Sequence, residues 1–264
     1  MIGAIIGDII GSRFEFGPPP KEGFELFTNE CNFTDDTICT IAIADAILNQ
    51  RPYQEALLDW CHRYPNPMGG YGSMFHQWLL SPNPLPYSSF GNGSAMRVSA
   101  VGWLMDDYHD VLREAKRSAE VTHCHHEGIN GAQCVATLIY WLRTVRVTKD
   151  EVESAVKRNF GYTIPPLKDI YKIGRQGHFD STCAETVPWA IRCFLESENF
   201  EDAVRKAVMA DGDTDTKAAI TASIAEAFYE IPESYIEQAY AYLPEDMLEI
   251  IEQFYTIIQN RMKQ

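Results

Sequence analysis

The 264-residue sequence contains no run of about 18 apolar residues, so no membrane-spanning helix is expected. It is poor in basic residues: 22 Lys and Arg stand against 37 Asp and Glu, for a formal net charge of −15. A surface that neutralises phosphates needs clustered Lys and Arg, so no extended nucleic-acid interface is expected either. Cysteine offers no staple. The seven cysteines, at 31, 39, 61, 124, 134, 183 and 193, are odd in number and form no Cys-x-x-Cys pair. That pattern fits a reducing, cytoplasmic setting better than a disulfide framework. No segment alternates cleanly with period 2, no repeat recurs, and no linker is long enough to divide the chain. The apolar start, Met1 to Ile6, lacks a basic flank and is soon interrupted by Asp8. It reads as the start of a buried helix and not as a signal peptide.

What remains is globular: 45% hydrophobic and 22% charged residues, enough to bury a large core. The patterns are helical throughout, and the expectation is one compact all-α domain over residues 1–264. Residues 2–14 form a small-residue helix in which Gly3, Gly7 and Gly11 let a second backbone approach closely. Pro18-Pro19-Pro20 ends it. Residues 36–48 follow, with Ile38, Ile41, Ala42 and Leu48 on one stripe and Asp45 its only charge. Further helices are expected at 53–63, 71–80, 95–105, 110–121, 127–143, 149–158, 166–173, 184–196, 200–209, 214–230, 233–241 and 245–262. The loops at 16–33, 64–70, 81–94 and 174–182 are the expected carriers of function.

Two acidic clusters stand out. Phe33-Thr34-Asp35-Asp36-Thr37 sits where a loop enters a helix, with Thr34 or Asp35 placed as its N-cap. Taken alone, it is explained as well by capping and the helix dipole as by chemistry. Asp211-Gly212-Asp213-Thr214-Asp215-Thr216 precedes a second stripe, Ile220, Ile224 and Phe228, and holds more carboxylates than one cap can use. Brought together, such groups repel unless protons or a cation intervene. Hydroxyl and carboxylate oxygens without His or Cys are hard ligands, suited to Mg²⁺, Mn²⁺ or Ca²⁺ rather than zinc. The EF-hand alternative lacks its Gly at position 6 and Glu at position 12. His123, Cys124, His125 and His126 have no partner cluster at zinc-site spacing. Gly91-Asn92-Gly93 is by itself an ordinary turn, or a loop that offers backbone N–H groups to phosphate oxygens.

Five motifs in order, Gly7-Asp8-x-x-Gly11-Ser12-x-x-Glu15, Phe33-Thr34-Asp35-Asp36-Thr37, Gly91-Asn92-Gly93-Ser94-Ala95-Met96-Arg97, Thr122-His123 and Gly212-Asp213-Thr214-Asp215-Thr216, resemble the ADP-ribosylglycohydrolase family. The resemblance implies an all-α fold and hydrolysis of the glycosidic bond that joins ADP-ribose to a modified substrate. The substrate is a side chain such as arginine or serine, a base or a small molecule, and ADP-ribose is the product. It also implies two Mg²⁺ ions, with Mn²⁺ as a substitute. Thr34, Asp35 and Asp36 match one ligand set; Asp213, Asp215 and Thr216 match the other. Glu15 matches a catalytic glutamate on a mobile loop, and Glu15 or Asp36 is the expected proton acceptor. Ser89, Phe90, Gly91, Asn92 and Gly93, with Met96, His123 and Ser181, match substrate contacts. A monomer is expected. The rival reading is a non-catalytic ADP-ribose-binding or immunity module. Two departures stand out: Asp211-Gly212 where the family often has Gly-Gly, which adds a carboxylate near the metals, and Ala222 to Ala227 in place of a more Gly-rich pattern.

Overall fold

A computed structural model describes residues 1–262. The helices are α1 (Ile2–Gly11), α2 (Asp35–Leu48), α3 (Tyr53–Arg63), α4 (Ser73–Leu80), α5 (Gly93–Met96), α6 (Ser99–Leu104), α7 (Tyr108–Glu120) and α8 (His126–Tyr140). After a π-turn at Trp141–Val145 come α9 (Lys149–Phe160), α10 (Leu167–Gly174), α11 (Cys183–Leu195), α12 (Phe200–Val208), α13 (Thr214–Ala225), α14 (Glu233–Tyr240) and α15 (Glu245–Met262). Among the described residues, extended pairing is limited to isolated bridges, so the fold is all-α. No helix there is long and apolar enough to cross a membrane.

The centre is the contact of α1 with α13. Isoleucine and glycine are weak helix formers, so α1 owes its form to packing rather than to propensity. All ten of its residues are buried. Its glycine edge lies directly on the α13 backbone: a methyl on Gly3 or Gly7 would be driven into the carbonyl oxygens of Ala222 or Ala218, and one on Gly11 would sit 2.6 Å from Asp215 Cα. Gly7→Ala should therefore destabilise the protein by about 3 kcal/mol, the upper range for overpacking, although alanine is intrinsically the better helix former. A urea midpoint that rises in Gly7→Ala contradicts the close approach.

Several expected boundaries shift for identifiable reasons. The 95–105 segment is two short helices, because Arg97 and Val98 leave the helical ladder between α5 and α6. The 127–143 helix gives way to the π-turn, which ends at Arg146 in the left-handed region (φ 55°). The 214–230 helix stops at Ala225, so Phe228 leaves the apolar stripe and is exposed on the following turns. Helix α2 is buried on every face from Asp36 to Ala46 and not along one stripe. Its Asp45 is held by Arg51 and by Trp60 Nε1.

Candidate active site

Helix α1 brackets both acidic clusters. Asp8, wholly buried within it, accepts from Thr34 N at 3.0 Å, from Thr34 Oγ1 at 2.7 Å, from Thr37 N at 3.1 Å and from the Thr37 hydroxyl. These bonds engage first-turn N–H groups of α2 that have no intrahelical partner. Thr34 then caps α2 by accepting from Asp36 N at 3.2 Å. At the other end of α1, the Gly11 carbonyl accepts from Thr214 Oγ1 at 2.9 Å and fixes the start of α13. The two helix N-termini consequently meet: Thr216 Oγ1 donates to Asp36 Oδ2 at 3.1 Å.

Around this junction lies a cleft of about 490 Å³. Glu15, Asp35, Asp36, Asp213, Asp215 and Thr216 line one part of it. Ser89, Phe90, Gly91, Asn92, Gly93, Met96, His123 and Ser181 line another part, and the 69–75 segment with Phe16 and Phe179 lines more of it. Thr34 does not line it: its proton goes to Asp8 and its oxygen caps α2, which leaves one lone pair. Asp211 does not line it either, since its carboxylate turns back to accept from Gly212 N. The added carboxylate expected there is spent locally. A second, larger cavity of about 820 Å³, near Trp103, Arg146 and Phe228, shares no lining residue with the cleft and holds neither acidic cluster.

The electrostatics are those of carboxylates crowded away from water. Glu15, Asp213 and Asp215 offer oxygens within 4.8 Å of one another. Burial, then the charge of Asp213, pushes Glu15 up to about 8, while a hydrogen bond with Asp215 opposes this. Burial pushes Asp8 up to about 6 against its four donors. Asp35, Asp36 and Asp215 are also raised, first by desolvation and then by neighbouring charges. Asp36 Oδ1 is buried with no hydrogen-bond partner. An unpaired anionic oxygen in such a place is costly unless something positive or a donor meets it. The donor set is all hard oxygen, so the residues present fit Mg²⁺ or Mn²⁺.

The opposite wall is built for hydrogen bonding. Asn92 Nδ2 donates to Asp213 Oδ2 at 2.7 Å and so ties the Gly-rich loop to the second cluster. Its backbone N donates to Ser181 O at 2.8 Å, and Cys183 N donates to Phe90 O at 3.0 Å, which joins that loop to 178–182 and the start of α11. Buried Arg97 only donates, and gives its N–H to Thr122 Oγ1 at 2.9 Å; that hydroxyl is left to donate to His123 Nδ1 at 2.7 Å. Burial, then the Arg97 charge, holds the His123 pKa well below its usual value. The ring is thus neutral, with an Nε2–H donor beside Gly91 and Gly93. His125 caps α8 and Cys124 is exposed, so the histidines do not converge.

Asp8 belongs to neither acidic cluster, and spacing alone does not mark it as functional. Its signal was a lone carboxylate in an otherwise apolar helix. Phe16 and Phe179, stacked at 6.0 Å beside Glu15 at the mouth of the cleft, carried no signal that spacing reveals.

Known proteins resemble the chain over most of its length. The chain is 26% identical to the ADP-ribosylhydrolase ARH3 of Bos taurus, over 94% of this chain and 89% of that protein. It is 24% identical to the ADP-ribosylarginine hydrolase Tri1 of Pseudomonas putida, over 90% of this chain and 72% of the relative. A solved ADP-ribosylglycohydrolase-related protein complex superposes with a TM-score of 0.71 at 21% identity, covering 97% of this chain and 95% of that one, which establishes the shared fold. The sequence model of the ADP-ribosylglycohydrolase family matches residues 1–264, and the chain belongs to that family.

Proposed function

We propose that this chain hydrolyses the glycosidic bond between ADP-ribose and a modified substrate with the help of two Mg²⁺ ions. The substrate is a protein side chain such as arginine or serine, or a base or small molecule. The observation that carries this reading is the meeting of two acidic helix starts, with Asp36 Oδ1 buried and unpaired at the junction. Asp35 and Asp36 would hold one ion, with Thr34 adding at most the lone pair that its two hydrogen bonds leave, and Asp213, Asp215 and Thr216 would hold the other. Bound there, the ions would polarise ribose hydroxyls and the attacking water. In the Ser89 to Gly93 loop the N–H groups of Ser89, Gly91 and Asn92 are taken by Tyr87 O, Ser89 Oγ and Ser181 O, so Phe90 and Gly93 would present theirs to the diphosphate, and His123 offers its Nε2–H. Met96 and Ser181 bound the sugar and nucleoside. Glu15 accepts the proton of the attacking water as positive charge develops at the anomeric carbon. A carboxyl near 8 before a cation arrives is a base that the ions would then tune downward. The relatives named as ADP-ribosylhydrolases support the substrate class.

The test is incubation with arginine-linked, serine-linked and base-linked ADP-ribose, with Mg²⁺ and with EDTA. Release of ADP-ribose from at least one, abolished by EDTA, is the expected result. Binding without release from any of them would favour a non-catalytic module.

Metal should also change stability, in a pH-dependent way. A raised carboxyl pKa means that the folded state holds the proton more tightly than the unfolded chain does. The stability that Asp8 and Glu15 contribute without metal is therefore full below the ordinary carboxylate range and lost as pH rises through about 6 and about 8. Cations need the ionised groups, so Mg²⁺ should raise Tm, and raise it more at pH 8 than at pH 6. Calorimetric scans at both pH values check this. Identical melting with and without saturating Mg²⁺ contradicts it.

A further inference from the structure

We propose that Lys217 is a positioning residue for this reaction: its buried ammonium holds the Asp211–Gly212 turn that delivers the Asp213 carboxylate into the acidic cluster. This rests on the metal-ligand reading of Asp213 given above.

The turn consists of two successive left-handed residues, Asp211 at φ 61° and Gly212 at φ 72°. Glycine adopts that conformation freely, and aspartate does so more readily than most residues when its side chain bonds the local backbone, as the Asp211 carboxylate does to Gly212 N; the ammonium is a second hold on the same turn. The Asp211 carbonyl accepts from Lys217 Nζ at 2.5 Å. Among the described residues, this is the ammonium's one hydrogen bond, and no carboxylate lies close enough for an ion pair. The ammonium also sits 4.7 Å from the centre of the Trp189 ring.

Lys217 is 1% exposed, and it lies in the first turn of α13, where the helix dipole disfavours a cation. Neither capping nor solubility explains such a group there. Its place is explained by what it touches. A methyl on Gly212 would lie 2.7 Å from His178 O and 3.1 Å from Lys217 Nζ, so the 211–213 turn, the 178–182 segment and the ammonium share one tightly filled spot. The first segment carries Asp213 and the second carries Phe179 and Ser181, all lining the cleft. Removing the ammonium releases the Asp211 carbonyl and with it the register of Asp213 against Asn92 and Asp215.

The variant that tests this is Lys217→Met, which keeps the stem and deletes the charge, in the full chain. Free Mn²⁺ is followed by electron paramagnetic resonance, and amide hydrogen exchange is followed without metal. Mn²⁺ binding should weaken about 10- to 100-fold, the range for a lost outer partner of a metal ligand. Exchange at 211–214 should quicken while the rest of α13 stays protected. Asp211→Gly/Lys217→Met should recover most of the affinity, because glycine holds the turn unaided; a purely structural lysine would show no such rescue. Wild-type Mn²⁺ affinity with unchanged exchange in Lys217→Met overturns the proposal, and so does a loss that the double variant leaves intact. If wild-type protein takes up no Mn²⁺, the metal reading fails, and metal-free exchange alone decides the role of Lys217. If Lys217→Met does not fold, Lys217→Gln takes its place, since its amide can still serve the Asp211 carbonyl. Near-wild-type exchange at 211–214 in that variant supports the proposal, and exchange there markedly faster than wild type in a folded Lys217→Gln overturns it.

Discussion

Asp35→Ala, Asp36→Ala and Asp213→Ala should each lower kcat by on the order of 10³ or more, the scale at which a transition-state stabiliser is lost, while helical circular dichroism is retained. The reason lies in what these carboxylates cost the fold. Desolvation and mutual repulsion raise the Asp36 pKa, and one of its oxygens has no partner. A group kept for stability would be satisfied, as Asp8 is by its four donors. It follows that Asp36→Asn, which keeps the shape and removes the charge, should leave metal-free Tm unchanged or higher while hydrolysis fails. Wild-type turnover in any of the alanine variants removes the acidic junction from the chemistry. A collapse of Tm in Asp36→Asn with normal turnover would make Asp36 a structural residue.

Glu15→Gln should reduce kcat by about 10²–10⁴, the range for a lost general base, with a much smaller change in ADP-ribose affinity. Glu15 follows the end of α1 and is half-buried between Gly69, in its left-handed turn, and the Asp213–Asp215 pair. The turn that leaves α1 thus sets its side chain against the second cluster. Glutamine keeps the size and most of the hydrogen bonding but cannot take a proton. The acidic limb of the pH–rate profile should disappear with it. Single-turnover kinetics and ADP-ribose titration read the two effects separately. Unchanged chemistry in Glu15→Gln returns the proton to Asp36.

Much of this was legible in sequence because it is local. The glycine spacing of residues 3, 7 and 11 announced a close helix contact, and α13 fills it. The two acidic clusters announced two helix starts, the first capped by Thr34 or Asp35; the N-caps are Thr34 and Asp213. The four loops singled out as functional each contribute to the cleft: Phe16, Gly69 and Gly70, Ser88 to Gly93, and Phe179 with Ser181. What sequence withheld depends on the third dimension. Helices α2 and α13 are surrounded by other helices, so no polar face marks their orientation. Asp8 looks like a flaw in an apolar helix until the N-terminus of α2 is laid over it. Lys217 carries no signal in the sequence; only the fold shows its ammonium against the Asp211 carbonyl.

The most direct measurement of the central claim is anomalous diffraction at the manganese edge from crystals of the chain grown with Mn²⁺ and ADP-ribose. Two peaks are predicted, one against Asp35 and Asp36 and one against Asp213, Asp215 and Thr216, with the ribose between them and Glu15. An empty acidic junction beneath bound ADP-ribose would contradict the account.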